Sequence, residues 1–123
     1  MIPPKERKKL EKTLEELIKE VDKVIAKYRI IESPLLEWKE EYVRQTPYTC
    51  GVYLFYDATG DLIYVGSAGA GMLGERIQKH WREPKWPGIA YFLWIQVGNM
   101  DQARVLEAYL ISKLQPYFNI QLK

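Results

Sequence analysis

The chain reads as an α+β domain: a small three-stranded antiparallel sheet flanked by helices, with an N-terminal helical arm. Three observations point there. Apolar residues recur at helical spacing before Thr46-Pro47, the period changes to strand-like runs just after it, and two further helical stripes follow. A boundary is therefore placed between an arm at 1–46 and a compact domain at 47–123. A chain of 123 residues has room for one such core.

In the arm, Leu10, Leu14, Leu17, Val21, Val24 and Tyr28 recur in steps of four and three, with Ile18 and Ile25 widening the stripe. This predicts an amphipathic helix from Lys5 to about Tyr28, opened by Pro3-Pro4 and ended before Ser33-Pro34. A second short helical segment is expected around Leu35 to Val43. Such a stripe fits either a homodimer formed through the N-terminal helix or a helix folded back on its own domain. The basic stretch Lys5 to Lys12 equally fits contact with a DNA backbone.

Past the boundary, Val52 to Tyr56 and Leu62 to Val65 form a predicted hairpin around Asp57-Ala58-Thr59-Gly60-Asp61, where Gly60 is free to take a positive φ. Ser67 to Gly71 then reads as a loop of small residues. Leu73, Ile77 and Trp81 at four-residue steps predict a helix, broken by Pro84 and Pro87. The apolar run Ile89 to Val97 predicts a third strand. Asn99 with Gln102 three residues on predicts an N-cap, opening a helix that runs to about Leu114 and halts at Pro116.

Charge and cysteine content bound the function. A net charge of +2 with a pI near 8.6 makes the chain mildly basic, so affinity for nucleic acid must come from local patches. The single Cys50 cannot form an internal disulfide, and Met1-Ile2-Pro3-Pro4 runs into charges where a signal peptide needs apolar residues. No apolar run approaches the roughly 20 residues a spanning helix needs. The expected setting is intracellular, cytoplasmic or nucleoid-associated, with no membrane partner.

Several side chains carry chemistry. Glu107 lies among Ala103, Leu106, Leu110, Ile111 and Leu114, on the stripe expected to face the core. A carboxylate there either pairs with a cation, reaches water, or holds a metal ion. Magnesium often takes only one or two protein carboxylates and leaves its other positions to water and phosphate, so Glu107 alone suffices as an anchor. Arg76 and His80, four residues apart, share one helix face. Arginine matches phosphate oxygens with its planar fork, and histidine relays protons near neutral pH, although both also occur as plain surface residues. Tyr53 and Tyr64 fall on adjacent strands, where a suitable register brings them to one face. Taken singly, each reads as an ordinary strand tyrosine. A phenol titrating near 10 is a poor base at neutral pH, so either would need a nearby cation to act.

Gly51-Val52-Tyr53 and Tyr64-Val65-Gly66 resemble the paired signature of the GIY-YIG nucleases, with valine in place of each isoleucine. Leu73-Gly74-Glu75-Arg76 followed by His80 is similar to the helix pattern of that family, and Glu107 to Ile111 with Pro116-Tyr117-Phe118-Asn119 is similar to its closing pattern. The resemblance covers roughly Tyr48 to Lys123 and implies a metal-dependent DNA endonuclease using Mg2+, with Mn2+ as a substitute. It further implies that Tyr53 helps activate the attacking water, Tyr64 shares in that proton transfer, and Arg76 binds phosphate. Glu107 would hold the metal at the departing 3′ oxygen, Asn119 would tie the chain to the site by hydrogen bonds, and products would carry 5′-phosphate and 3′-hydroxyl ends. Ser67 departs from the family, many members of which place lysine or another long polar residue there. Lys79, Arg82 and Lys85, near Trp81 and Trp86, fit an extension of the candidate phosphate-binding face and equally suit a solvated helix end. The alternative is a catalytically silent nucleic-acid-binding or assembly module on the same fold. Restriction, homing and repair enzymes all share this centre.

Overall fold

The computed structural model describes residues 31–121. In chain order these form β1 (Ile31–Glu32), β2 (Leu36–Glu37), α1 (Glu40–Arg44), β3 (Gly51–Tyr56), β4 (Leu62–Ala68), α2 (Leu73–Arg82), β5 (Tyr91–Gln96), α3 (Met100–Leu114) and α4 (Tyr117–Gln121). The sequence-predicted helix at Lys5 to Tyr28, with its homodimer and DNA-contact readings, lies outside the described residues.

The three long strands run in the order β5-β3-β4, all antiparallel, and two-residue strands β1 and β2 add to the free edge of β5. The expected helix around Leu35 to Val43 is thus corrected: β2 occupies its start, and the helix begins only at Glu40. The reason is tertiary. Ser33 N–H donates to Trp94 O at 2.9 Å, Trp94 N–H donates to Ser33 Oγ at 3.0 Å, and Trp38 N–H donates to Ala90 O at 2.9 Å. An unpaired edge of β5 offers this segment hydrogen bonds that a short isolated helix cannot match.

All six residues of β3 are buried, because the central strand is covered on both faces. Side-chain alternation sorts them. Val52, Leu54 and Tyr56 pack with Ala103, Leu106 and Leu110 of α3, while Tyr53 and Phe55 pack with Leu73 and Ile77 of α2 and with Trp86. Strand β4 continues to Ala68, opposite Gly51, so the small-residue loop expected from Ser67 contracts to a tight turn. In that turn Met72 N–H donates to Gly69 O, and Ala70 and Gly71 both take positive φ, 44° and 79°.

Helix α2 starts without a side-chain cap; its first N–H groups instead donate to backbone carbonyls of the preceding segment, Leu73 to Thr49 and Gly74 to Pro47. The expected cap of α3 forms: Gln102 N–H donates to Asn99 Oδ1 at 3.0 Å, and Gln102 Oε1 accepts from Gly98 N–H at 2.7 Å. Gln115 ends α3 in the left-handed conformation directly before Pro116. No helix among the described residues is long and apolar enough to cross a membrane.

Candidate active site

The register of the hairpin builds the site. Tyr53 stands opposite Gly66, and Phe55 stands opposite Tyr64, so both tyrosines project from the same face as diagonal neighbours. Gly66 has a steric task. A Cβ built on it would overlap the Tyr53 ring at Cζ and Oη, so the glycine of the second tripeptide clears the space that the tyrosine of the first one fills. Gly51 serves packing in the same way, since a Cβ there would run into the carbonyl of Ile95.

Helix α2 covers this face. With Ile77 buried beneath it, Arg76 and His80 fall along one flank and reach the tyrosines. His80 Nε2 lies 3.1 Å from Tyr53 Oη, and its ring sits 5.5 Å from Tyr53, 5.8 Å from Tyr64 and 5.1 Å from Phe55. Tyr53, Tyr64, Arg76, Lys79, His80, Glu83 and Lys85 line one cleft of about 290 Å³. Arg82 does not line it. Trp81 turns away to pack edge-on against Trp38, and Trp86 is buried beneath the rim, so neither presents a free ring to a nucleobase. Glu83 was missed in the sequence because it follows the helix end, where no periodicity assigns a direction.

Glu107 and Asn119 approach from other elements. Glu107 sits half-buried on α3, outside the residues that line the cleft, yet its charge raises both phenols. No cation among the described residues forms an ion pair with it. Asn119 does not enter the cleft. Its side chain clamps the outer edge of β4, accepting from Val65 N–H at 2.8 Å and donating to Val65 O at 2.9 Å. Both backbone groups of the residue between Tyr64 and Gly66 are thereby satisfied at a strand edge that no other strand covers among the described residues.

The electrostatics divide the groups. Burial, then the neighbouring Tyr64, then the charge of Glu107 push the Tyr53 phenol well above its ordinary value, against the lowering effect of Arg76. Burial and Glu107 also raise Tyr64, but a hydrogen bond from Tyr53 and the Arg76 charge both lower it. His80 is pushed down to about 4, first by burial and then by Lys85, Arg76 and Lys79, so it is uncharged at neutral pH. An uncharged imidazole can donate its Nε2–H to Tyr53 Oη or accept from it, according to its tautomer.

Among the described residues no group of three or more His, Cys, Asp or Glu is placed to hold a metal. A site with a single carboxylate therefore suits a hard cation that keeps its waters, and excludes nothing beyond the ions that need an all-protein cage. Glu107, half-buried and without an ion-pair partner, is the residue that fits.

Comparison with known proteins agrees with this geometry. The family model of the UvrC-like GIY-YIG domain matches residues 49–120. A UvrABC system protein C from Moorella thermoacetica is 34% identical over 91 residues, covering 68% of this chain and 14% of that protein. One from Solibacter usitatus is 36% identical over 90 residues, covering 66% and 14%. The chain thus spans about one seventh of the length of the curated relatives it matches. Among solved structures, the GIY-YIG N-terminal endonuclease domain of UvrC from Thermotoga maritima, bound to its catalytic magnesium, superposes with a TM-score of 0.57 at 29% identity. That match covers 67% of this chain and 99% of the other.

Proposed function

Since the chain belongs to the UvrC-like GIY-YIG domain family, we propose that it is a metal-dependent DNA endonuclease whose centre is built from Tyr53, Tyr64, Arg76, His80 and Glu107. The observation that carries this reading is the convergence of two neighbouring phenols, an arginine and an uncharged histidine in one basic cleft, with a carboxylate that has no ion-pair partner among the described residues and is close enough to raise both phenols. The solved relative with bound magnesium supports the same ion here.

Glu107 would hold the magnesium, which supplies positive charge against the phosphate and the departing oxygen. Arg76 would bind a non-bridging phosphate oxygen with its planar fork, and Lys79 and Lys85 would receive flanking phosphates. Tyr53 and Tyr64 would act as one proton-accepting unit. The neighbouring Tyr53 and the Arg76 charge lower Tyr64 and leave it the phenol that ionises more readily, and cation binding at Glu107 removes one of the causes that raise it. In the accepting state the phenol has already given its own proton to solvent; the phenolate takes a proton from the water as that water attacks phosphorus, the bond to the 3′ oxygen breaks, and the departing oxygen takes a proton from solvent, leaving a 5′-phosphate and a 3′-hydroxyl. His80 would hold Tyr53 in place through Nε2–H. The relatives that this chain matches are named UvrABC system protein C, which favours a repair setting over restriction for this reading.

The test is to incubate supercoiled plasmid with the purified chain in magnesium and in chelator, beside Glu107→Ala. Magnesium-dependent nicking that the variant loses by about 10²-fold or more is expected. Failure to cut plasmid, single-stranded and branched DNA alike, with binding retained, would replace the nuclease reading with a binding module.

A further inference from the structure

The segment Glu83 to Gly88 contributes more than a helix break. Trp86, only 8% exposed, stacks on Phe118 with centroids 4.9 Å apart at 15°, and packs against Tyr64 at 5.1 Å and 39°. Lys85 Nζ stands 4.7 Å from the same ring. Trp86 therefore bridges the tyrosine on β4 to the C-terminal helix α4, whose next residue, Asn119, clamps the backbone beside Tyr64. The indole N–H is buried and finds no acceptor among the described residues. The ring is thus held for its faces and not for its donor, since a buried unpaired N–H is unfavourable.

We propose that Trp86 is a positioning residue for the reaction, fixing the Tyr64 side chain in the cleft by ring contact and linking it to Phe118. The proposal rests on the nuclease reading of Tyr64. A phenol on an edge strand has one partner strand and much rotational freedom; Asn119 holds the backbone of the next residue, Val65, and Trp86 holds the Tyr64 ring. Misplacement of a reacting group by about 1 Å can lower turnover by on the order of 10²-fold. The same loop carries Lys85 and Glu83 to the cleft rim, and their own backbone positions, not the Trp86 ring, place them there.

The experiment compares Trp86→Leu, which stays apolar but removes the flat ring and part of its volume, with Trp86→Phe, which keeps one aromatic ring and loses the pyrrole portion together with its unpaired donor. Turnover and KM for plasmid nicking are measured, together with DNA binding in chelator and the titration of Tyr64 by NMR of ring-labelled tyrosine, assigned with Tyr64→Phe. The groups facing Tyr64 are Tyr53, Arg76, His80 and Glu107, and neither substitution touches them. Trp86→Leu is expected to lower kcat by roughly tenfold or more with KM and DNA binding within about twofold, and to bring the Tyr64 titration down toward that of a free phenol as water enters. Trp86→Phe is expected to keep kcat within about threefold, because an aromatic pair remains. If Trp86→Leu fails to fold, a Trp86→Phe protein that loses turnover as badly as Glu107→Ala overturns the proposal. So does a folded Trp86→Leu protein with wild-type kcat and an unmoved Tyr64 titration. A wild-type protein that cuts no DNA while the Tyr64 titration responds to Trp86→Leu overturns the nuclease reading instead.

Discussion

Gly66→Ala isolates the coupling between the two tripeptides. The added methyl would lie 2.7 Å from Tyr53 Cε2 and still nearer Cζ and Oη, whereas carbon atoms settle at about 3.5–4.0 Å. The ring must withdraw by about 1 Å. Tyr53 is 2% exposed and wedged against Phe55, Tyr64 and His80, so it cannot withdraw without carrying its hydroxyl away from His80 Nε2, now 3.1 Å distant. Overpacking of this kind typically destabilises by about 1–3 kcal/mol. A shift of about 1 Å in a reacting hydroxyl can lower turnover by on the order of 10²-fold, or about 2.7 kcal/mol of transition-state stabilisation. Plasmid nicking under saturating DNA, paired with urea unfolding of the same preparation, separates the two effects. The expected result is a modest stability loss beside a turnover loss far larger than any fraction of unfolded protein explains. A Gly66→Ala protein that nicks at the wild-type rate would refute the steric reasoning, because Tyr53 would then have to function from a displaced position.

Two further outcomes follow from the same geometry. Asn119→Ala leaves the N–H and C=O of Val65 without their side-chain partners, and an unfolding midpoint lower by the equivalent of about 1–3 kcal/mol is expected by thermal or urea melts, with nicking reduced because Tyr64 is the neighbouring residue. His80 contributes to stability in a defined pH window: its folded value, about 4, lies below the ordinary 6.5, so the unfolded chain binds the extra proton. Stability is fully present above pH 6.5 and declines as pH falls toward 4; urea melts of His80→Gln should show a shallower decline there, and the wild-type nicking profile should carry no inflection near 6.5.

Much of the domain is legible from local patterns. The Asn99 and Gln102 pair caps α3 as its spacing requires, Pro116 lies directly beyond that helix, and Leu73 with Ile77 marks the buried face of α2. The segment before Thr46 is less legible, since Leu35 to Val43 carries apolar residues that suit either period. Pairing with the open edge of β5 decides for strand at Leu36–Glu37. Glu83 and Trp86 escape for a related reason: both follow the end of α2, in a segment with two prolines where periodicity assigns no face.

Side-chain type, period and turn chemistry are encoded within a few neighbouring residues, so the hairpin, the two long helices and the set of chemical groups follow from the chain alone. Which groups meet depends on register and crossing, which involve residues far apart in sequence. Tyr53 and Phe55 stand across from Gly66 and Tyr64 because of the pairing of β3 with β4. His80 reaches Tyr53 across 27 positions, and Asn119 reaches Val65 across 54. The desolvation that leaves His80 neutral and lifts both phenols exists only once α2 closes over the sheet. Tertiary packing thus turns a list of plausible side chains into one cleft with assigned protonation states, because burial and distance are properties of the folded chain and not of any local stretch of it.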